Sequence, residues 1–489
     1  MNRAARRALA LAGAAMMAAC SAPEFNVLSN SDASAGGVGG NGGESGAGGS
    51  GGNSGAASDA AGYTPTLKWQ ASIDQVGDQQ AGGVGFRKND GVVVAFHEYP
   101  KSIVGVAEFS AVGGLKLNKP YSGAVTGSAR IVDLSVGVTT GNPLLVGNFT
   151  GQSPFNAQQA NGTDGVLVAT AVSGPLTRYV VGGAEQGVTG VVNASSSALD
   201  GAYLCGNSTA QDFQVGGADP LGVHDPFACF VSKQFQKAAS SPWGTRVTSK
   251  KALRCNDIAL TDSEVVSVGM ASGAINGLAL ETTPAIQTLL VLWFDANGSQ
   301  KAAFSFGDGA QLEAWAVDTL SDGSIVVGAS FNSPLTIGGR NISPAGANRN
   351  AFVTRISRKG TVLWIRPIVD ADAIVLNDLK ADSSDNIVVV GDAAGSIDFG
   401  SGPVAPLLHV GSPNGWALVL NDAGTPLWSG FFEGSGQVHA RKVDVRGDGI
   451  AFALDADSAI LLPGVATATA APTGRDVVLA VYTASGTGL

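Results

Sequence analysis

One supersecondary unit recurs along most of this chain, and a repeat of its length leaves few folds open. Ala314 to Gly328 reads AWAVDTLSDGSIVVG, Leu376 to Gly391 reads LNDLKADSSDNIVVVG, and Ile131 to Gly147 reads IVDLSVGVTTGNPLLVG. Each is a short apolar strand, a tight turn, and a second apolar strand. The turn dipeptides recur at Asp90-Gly91, Gly141-Asn142, Asp200-Gly201, Asp322-Gly323, Asp385-Asn386 and Asp448-Gly449, with a degenerate copy near Asp262-Ser263. Gly, Asn and Asp tolerate the positive φ that two-residue hairpin turns demand. A small residue follows each second strand, at Ala95, Gly147, Gly206, Gly269, Gly328, Gly391 and Ala453, which makes seven copies spaced 52 to 63 residues apart. Later in each copy comes a third strand, as in Ala351 to Ile356 or Trp416 to Leu420, then a Lys359-Gly360 or Ala423-Gly424 turn. A fourth strand with a tryptophan ends the copy, at Trp364 and Trp428. Four antiparallel strands per repeat make one propeller blade. The expectation is an all-β, seven-bladed β-propeller of four-stranded antiparallel blades. Sixty-nine glycines and a charged fraction of 14% agree with many short strands and many turns.

The seventh copy holds only three strands, Val443–Val445, Ile450–Leu454 and Val477–Tyr482, before the chain turns at Ser485-Gly486 and stops. An orphan strand, Thr66 to Ile73, stands before the first copy, and its Thr66-Leu-Lys-Trp69 matches Thr361-Val-Leu-Trp364 and Thr425-Pro-Leu-Trp428. The N-terminal strand is therefore expected to complete the last blade. Such closure protects terminal edges that would otherwise template aggregation. Trp69 then belongs to the closing joint, and the periodicity of the tryptophans reads as core packing rather than carbohydrate stacking.

These copies resemble the seven-bladed β-propeller (SBBP-type) repeats of bacterial cell-surface proteins and lipoproteins. The shared pattern is an Asp in the first strand, an Asp/Gly turn, a Val-Val-Gly strand, a small element seen at Leu335–Gly338 and Ile397–Gly400, and a Gly-x-Leu-Trp hairpin. The resemblance spans residues 66 to 489 and is strongest in the fifth and sixth copies. It implies a fold and a surface address, and carries no catalytic residues to this chain.

The beginning of the chain reads as an address. Arg3, Arg6 and Arg7 precede a short apolar run from Leu9 to Ala19, too short for an ordinary membrane span. Met17-Ala-Ala-Cys20 resembles the lipobox of bacterial lipoproteins, which implies cleavage after residue 19 and acylation of Cys20. Several acyl chains would anchor the protein stably, since each buried CH₂ contributes about 0.8 kcal/mol. Ser21 is not the Asp associated with inner-membrane retention, so the resemblance favours the outer membrane. Residues 20–62 then form a lipid-anchored linker, nearly all Gly, Ser, Ala and Asn from residue 31. Its flexible Gly/Ser-rich part spans on the order of 30 Å. The propeller is expected over 63–489. Loss of the three arginines takes the formal charge from −10 to −13. So acidic a surface argues against nucleic acid, which needs clustered Lys and Arg.

Little in the sequence points to chemistry. Cys205, Cys229 and Cys255 are an odd set in a compartment that permits disulfides, and none has zinc-site spacing. Cys205–Cys229 would join neighbouring strands of one blade, and Cys205–Cys255 would tie two blades; the first is expected, with buried reduced thiols as the alternative. His97, His224, His409 and His439 form no close metal pair. Neither a nucleophile elbow nor a phosphate loop lies in the folded part. Asp370/Asp372, Asp382/Asp385 and Asp455/Asp457 suit calcium or acid–base work in type, but none completes a calcium loop. The long connections from Gly206 to Pro226 and from Ala271 to Ile286 are candidate binding loops. Catalytic residues, metal and cofactor are accordingly expected to be absent. A monomeric scaffold that binds a protein or glycan is the expectation; a glycan hydrolase or lyase and a structural envelope component are the alternatives.

Overall fold

Second strands such as Ile325–Phe331 and Ile387–Ala393 are apolar but for Ser330 and Asp392, and in the computed structural model every residue of both is buried. They are covered on both faces because blades stack face to face. The structure describes residues 63 to 485 apart from several connecting segments, the longest being 216–224, 235–242, 277–286 and 405–412. Cys20, the signal segment and the linker lie outside the described residues, as do His224, His409, the pair Asp370/Asp372 and most of the two long connections.

Seven four-stranded antiparallel blades form the ring. Their inner strands are Asp78–Phe86, Ala129–Val136, Gln186–Ser195, Leu253–Leu260, Leu312–Thr319, Ile374–Ala381 and Val438–Arg446. In each one the register slips by a single residue, as between Ala81 and Gly83 or between Ala440 and Lys442. Such a bulge sharpens the strand's twist. Blades 2, 3 and 6 carry a further short strand on the outer edge. The apolar core lies between blades: one cluster joins Val388 and Val419 of blade 6 to Val443 and Phe452 of blade 7. Another joins Ala453 and Leu479 of blade 7 to Val84 and Phe96 of blade 1, so the last joint is packed like the rest.

The N-terminal strand closes that joint as expected. Thr64–Ile73 pairs antiparallel with Asp476–Ser485, running from Thr64 opposite Ser485 to Ile73 opposite Val477. Some turn residues differ from the expectation. Asp200-Gly201 begins a strand rather than forming the turn, and Gly447, not Gly449, takes the positive φ in the last copy.

The fourth-strand tryptophans work between blades. Trp69 Nε1 donates to the Ala111 carbonyl in the next blade's hairpin at 3.0 Å, and its ring lies 6.0 Å from Phe109. Trp243 and Trp364 repeat the contact on Ala296 and Asp422, at 2.9 and 2.8 Å. Each ring lies against a positive-φ hairpin glycine, and a Cβ on Gly113, Gly298 or Gly424 would come within 2.9, 2.5 or 2.7 Å of it. Only glycine meets both the backbone angle and the close approach. Trp69 is only half-buried, so Trp69→Ala is expected to cost about 3 kcal/mol, the low end for large-to-small aromatic changes. Urea unfolding checks this; Lys68→Ala beside it should change the midpoint little.

Candidate functional site

Inner strands have one edge with no neighbouring strand, so their N–H groups there need partners from elsewhere. The preceding blade supplies them. Asp133 Oδ2 accepts from Val191 N at 2.9 Å, Asp257 Oδ2 from Val317 N at 2.8 Å, and Asp378 Oδ2 from Val443 N at 3.1 Å. Two residues further along the strand, Asp318 caps Ala381 N at 2.9 Å and Asp444 caps Phe86 N at 2.7 Å. Second strands add another set: Asn148 caps Val188, Asn207 caps Cys255, Asp392 caps Ala440 and Asp455 caps Ala81, at 2.6 to 2.8 Å. The first-strand Asp of the repeat pattern is thus a staple between blades.

Five of these carboxylates, with Lys380 and Lys442, cluster at the middle of the ring. A cavity of about 250 Å³ is lined by Asp133, Asp318, Asp378, Asp444, Lys380 and Lys442 among others. Lys442 Nζ lies 3.4 Å from Asp133 Oδ1. Burial alone would lower the lysines' pKa values, but the surrounding carboxylates overrule it and raise both, so the ammonium groups stay charged. Asp257 is pushed up to about 7, first by burial and then by Asp133 and Asp378, while Lys380 pulls it back. Burial takes Asp444 to about 6. The cluster continues into an open groove of about 690 Å³ on the hairpin-turn face, whose walls include Asp262, Glu264, Asp318, Asp322 and Asp385.

Asp382 and Asp385 serve the turn. Asp382 Oδ1 accepts from Ser384 N and Asn386 N, both at 2.8 Å, and Asp385 adopts φ 62°. Asp455 is fully buried, held by Ala81 N and by Arg441 Nε at 2.7 Å, whereas Asp457 accepts from Gln437 N. The two do not act as a pair. His439 Nδ1 lies 3.1 Å from Asp392 Oδ2, and that partner, with Arg441, holds Asp392 below its ordinary pKa despite burial. Burial, then Arg130 and Arg441, hold His97 well below the ordinary histidine value. Among the described residues no three His, Cys, Asp or Glu side chains are placed to hold a metal ion.

The disulfide differs from the expected Cys205–Cys229. Cys229 pairs with Cys255, their Cα atoms 5.3 Å apart, and the bond ties blade 3 to blade 4. Cys205 stands opposite Val231 in the sheet, two residues out of register with Cys229, and its Sγ contacts Thr189 Oγ1 at 3.4 Å. Burial raises its thiol pKa well above normal. The inner-edge caps and Trp243 carried no signal of their own; the recurring first-strand Asp was visible, but not its partner in the next blade.

No protein-family model and no curated protein sequence matches the chain. Among solved structures it is similar to a mutant of puromycin hydrolase complexed with PGG, at 14% identity and TM-score 0.39, over 84% of this chain and 57% of that one. It is also similar to a mutant of Synechocystis apocarotenoid oxygenase, at 10% identity and TM-score 0.39, over 85% of this chain and 93% of that one. This chain therefore spans little more than half the length of the first.

Two predictions follow from the site. Asp257 and Asp444 have folded pKa values above the unfolded value of about 3.9, so the folded state binds more protons and stability falls as pH rises through about 6 and 7. Asp392 acts oppositely, and its contribution is lost below about pH 4. The melting temperature should peak near pH 4–5 (roughly), and Asp257→Asn should flatten the fall toward neutrality in a calorimetric pH series. Separately, reduction of the disulfide, whose cysteines lie 26 residues apart, should cost about 3 kcal/mol. Alkylation before and after unfolding should place the single free thiol at Cys205, with Cys229 linked to Cys255 in the peptide map.

Proposed function

We propose that this chain is an envelope lipoprotein, anchored through Cys20, whose propeller is a non-enzymatic scaffold for a protein or glycan partner. The observation that carries this reading is the engagement of the channel acids. Asp133, Asp257, Asp318, Asp378 and Asp444 each accept a backbone N–H of the next blade. A carboxylate so committed holds structure, and releasing it for acid–base work would uncap an inner edge. The groove on the turn face offers a partner an open, polar surface instead. An acidic overall charge disfavours nucleic acid as that partner.

One observation favours the alternative, a glycan-active hydrolase or lyase. Asp257 is pushed up to about 7 beside other channel carboxylates, and separated values within one cluster are what acid–base pairs use. Capture from an envelope extract on the fragment from residue 62 onward, with released glycans assayed alongside, distinguishes the two. The scaffold reading expects a stoichiometric partner or intact glycan held without turnover. Shortened glycans or new reducing ends, lost in Asp257→Asn, would replace it with the enzyme.

A further inference from the structure

Among the described residues, three of the four large apolar side chains that stand exposed fall within one six-residue stretch. Val112 is 81% exposed, Leu115 57% and Leu117 40%; the fourth, Leu363, is in blade 5. All three belong to the last hairpin of blade 1, whose outer strand Leu115–Tyr121 is exposed along nearly its whole length. Among the described residues no further strand covers that edge, unlike the outer edges of blades 2, 3 and 6. Residues 110–121 carry Lys116 and Lys119 and no acid, although the whole chain has a formal charge of −10. Exposed Lys68 lies beside Trp69, whose indole is hydrogen-bonded to Ala111 in this same hairpin. The patch is thus apolar at the tip and flanked by three lysines, and Glu108, opposite Leu117, is ion-paired with Arg87.

Its position matters as much as its composition. Thr64, where the first strand begins, pairs with Ser485, and Ala484 N donates to Asp448 O in the turn of blade 7 at 2.7 Å. The N-terminal strand therefore enters at the hairpin-turn face. Val92 opposite Phe109 places the 110–114 hairpin at that same face of blade 1. From Thr64 to Trp69, which touches the hairpin, is five residues of strand, about 17 Å.

We propose that this hairpin is a membrane-contact element. Val112, Leu115 and Leu117 enter the headgroup boundary of an anionic bilayer, and Lys68, Lys116 and Lys119 meet its phosphates. The inference rests on the anchored-lipoprotein reading, because three apolar side chains bind a bilayer weakly by themselves. Tethering through the Gly/Ser-rich residues 21–62 to an acylated Cys20 would raise the effective concentration of the hairpin at the membrane, so that weak insertion suffices. The partner's chemistry is fixed by the patch: anionic charge for the lysines and an apolar layer at shallow depth. Deep insertion is excluded, since the uncovered edge N–H and C=O groups would lose water.

The test uses the full lipidated chain reconstituted in vesicles, with Val112→Cys carrying a polarity-sensitive fluorophore and Leu363→Cys as the control. Cys205 is buried and Cys229 and Cys255 are bonded, so labelling falls on the introduced thiol. In vesicles containing phosphatidylglycerol, the label at 112 should be quenched by spin-labelled lipid at least threefold more than the label at 363. The difference should shrink in pure phosphatidylcholine and in the Lys68→Gln/Lys116→Gln/Lys119→Gln variant. Equal quenching at the two positions, in chain shown by flotation to be anchored, would overturn the contact but leave the anchor standing. Chain that does not float would overturn the anchor and the contact together. A blue shift at 112 that grows with protein concentration without lipid would reassign the hairpin to contact between copies.

Discussion

Every blade of this ring has an inner edge that no strand covers, and the fold depends on how those N–H groups find acceptors. Water in a narrow channel could satisfy some of them, but it would not tie one blade to the next. Side chains of the preceding blade do both. Asp133, Asp257 and Asp378 cap one position of the following inner strand, Asp318 and Asp444 cap another, and Asn148, Asn207, Asp392 and Asp455 cap a third. Where the acceptor is a carboxylate the bond is charge-assisted and comparatively strong, whereas Asn148 and Asn207 accept through a neutral amide oxygen. Burying carboxylates at the axis has a cost, seen in the raised values of Asp257 and Asp444; like charge nearby adds to it, and Lys380 and Lys442 offset part of it.

The two ends of the described chain meet inside blade 7, and that blade is closed and joined to blade 1 in three ways. The strand Thr64–Ile73 completes the sheet of blade 7. Asp444 and Asp455 cap Phe86 and Ala81 of blade 1. Trp69 latches onto the blade 1 hairpin. Elsewhere the same Trp–hairpin contact recurs without a chain break, and between blades 3 and 4 the Cys229–Cys255 bond adds a covalent tie. Each device joins neighbours only, in keeping with a repeat architecture in which stability is a sum over adjacent interfaces.

What the sequence made legible follows from which interactions are local. Hairpin turns and apolar strands are local, so seven copies and four strands per copy could be read directly. The orphan strand at Trp69 was readable because it matched Trp364 and Trp428 in sequence. Contacts between blades are set by register and by the bulge in each inner strand, and nothing local announces either. The recurring Asp was therefore visible as a pattern while its partner some sixty residues away was not: Asp257 caps Val317 across 60 residues, Asp378 caps Val443 across 65. The cysteine pairing was missed for the same reason, since a two-residue offset between Cys205 and Cys229 decides it.

The central claim is that the inner-edge staples and the N-terminal strand hold the ring as one cooperative unit, and native-state hydrogen exchange tests it most directly. The amides of Phe86, Val191, Val317, Ala381 and Val443 donate to the carboxylates of the preceding blade. If the claim holds, these amides and those of residues 67–73 exchange only through global unfolding, with one common free energy and one common dependence on denaturant. Exchange of the 67–73 amides through a low-energy local opening, or of the stapled amides blade by blade at separate free energies, would contradict it.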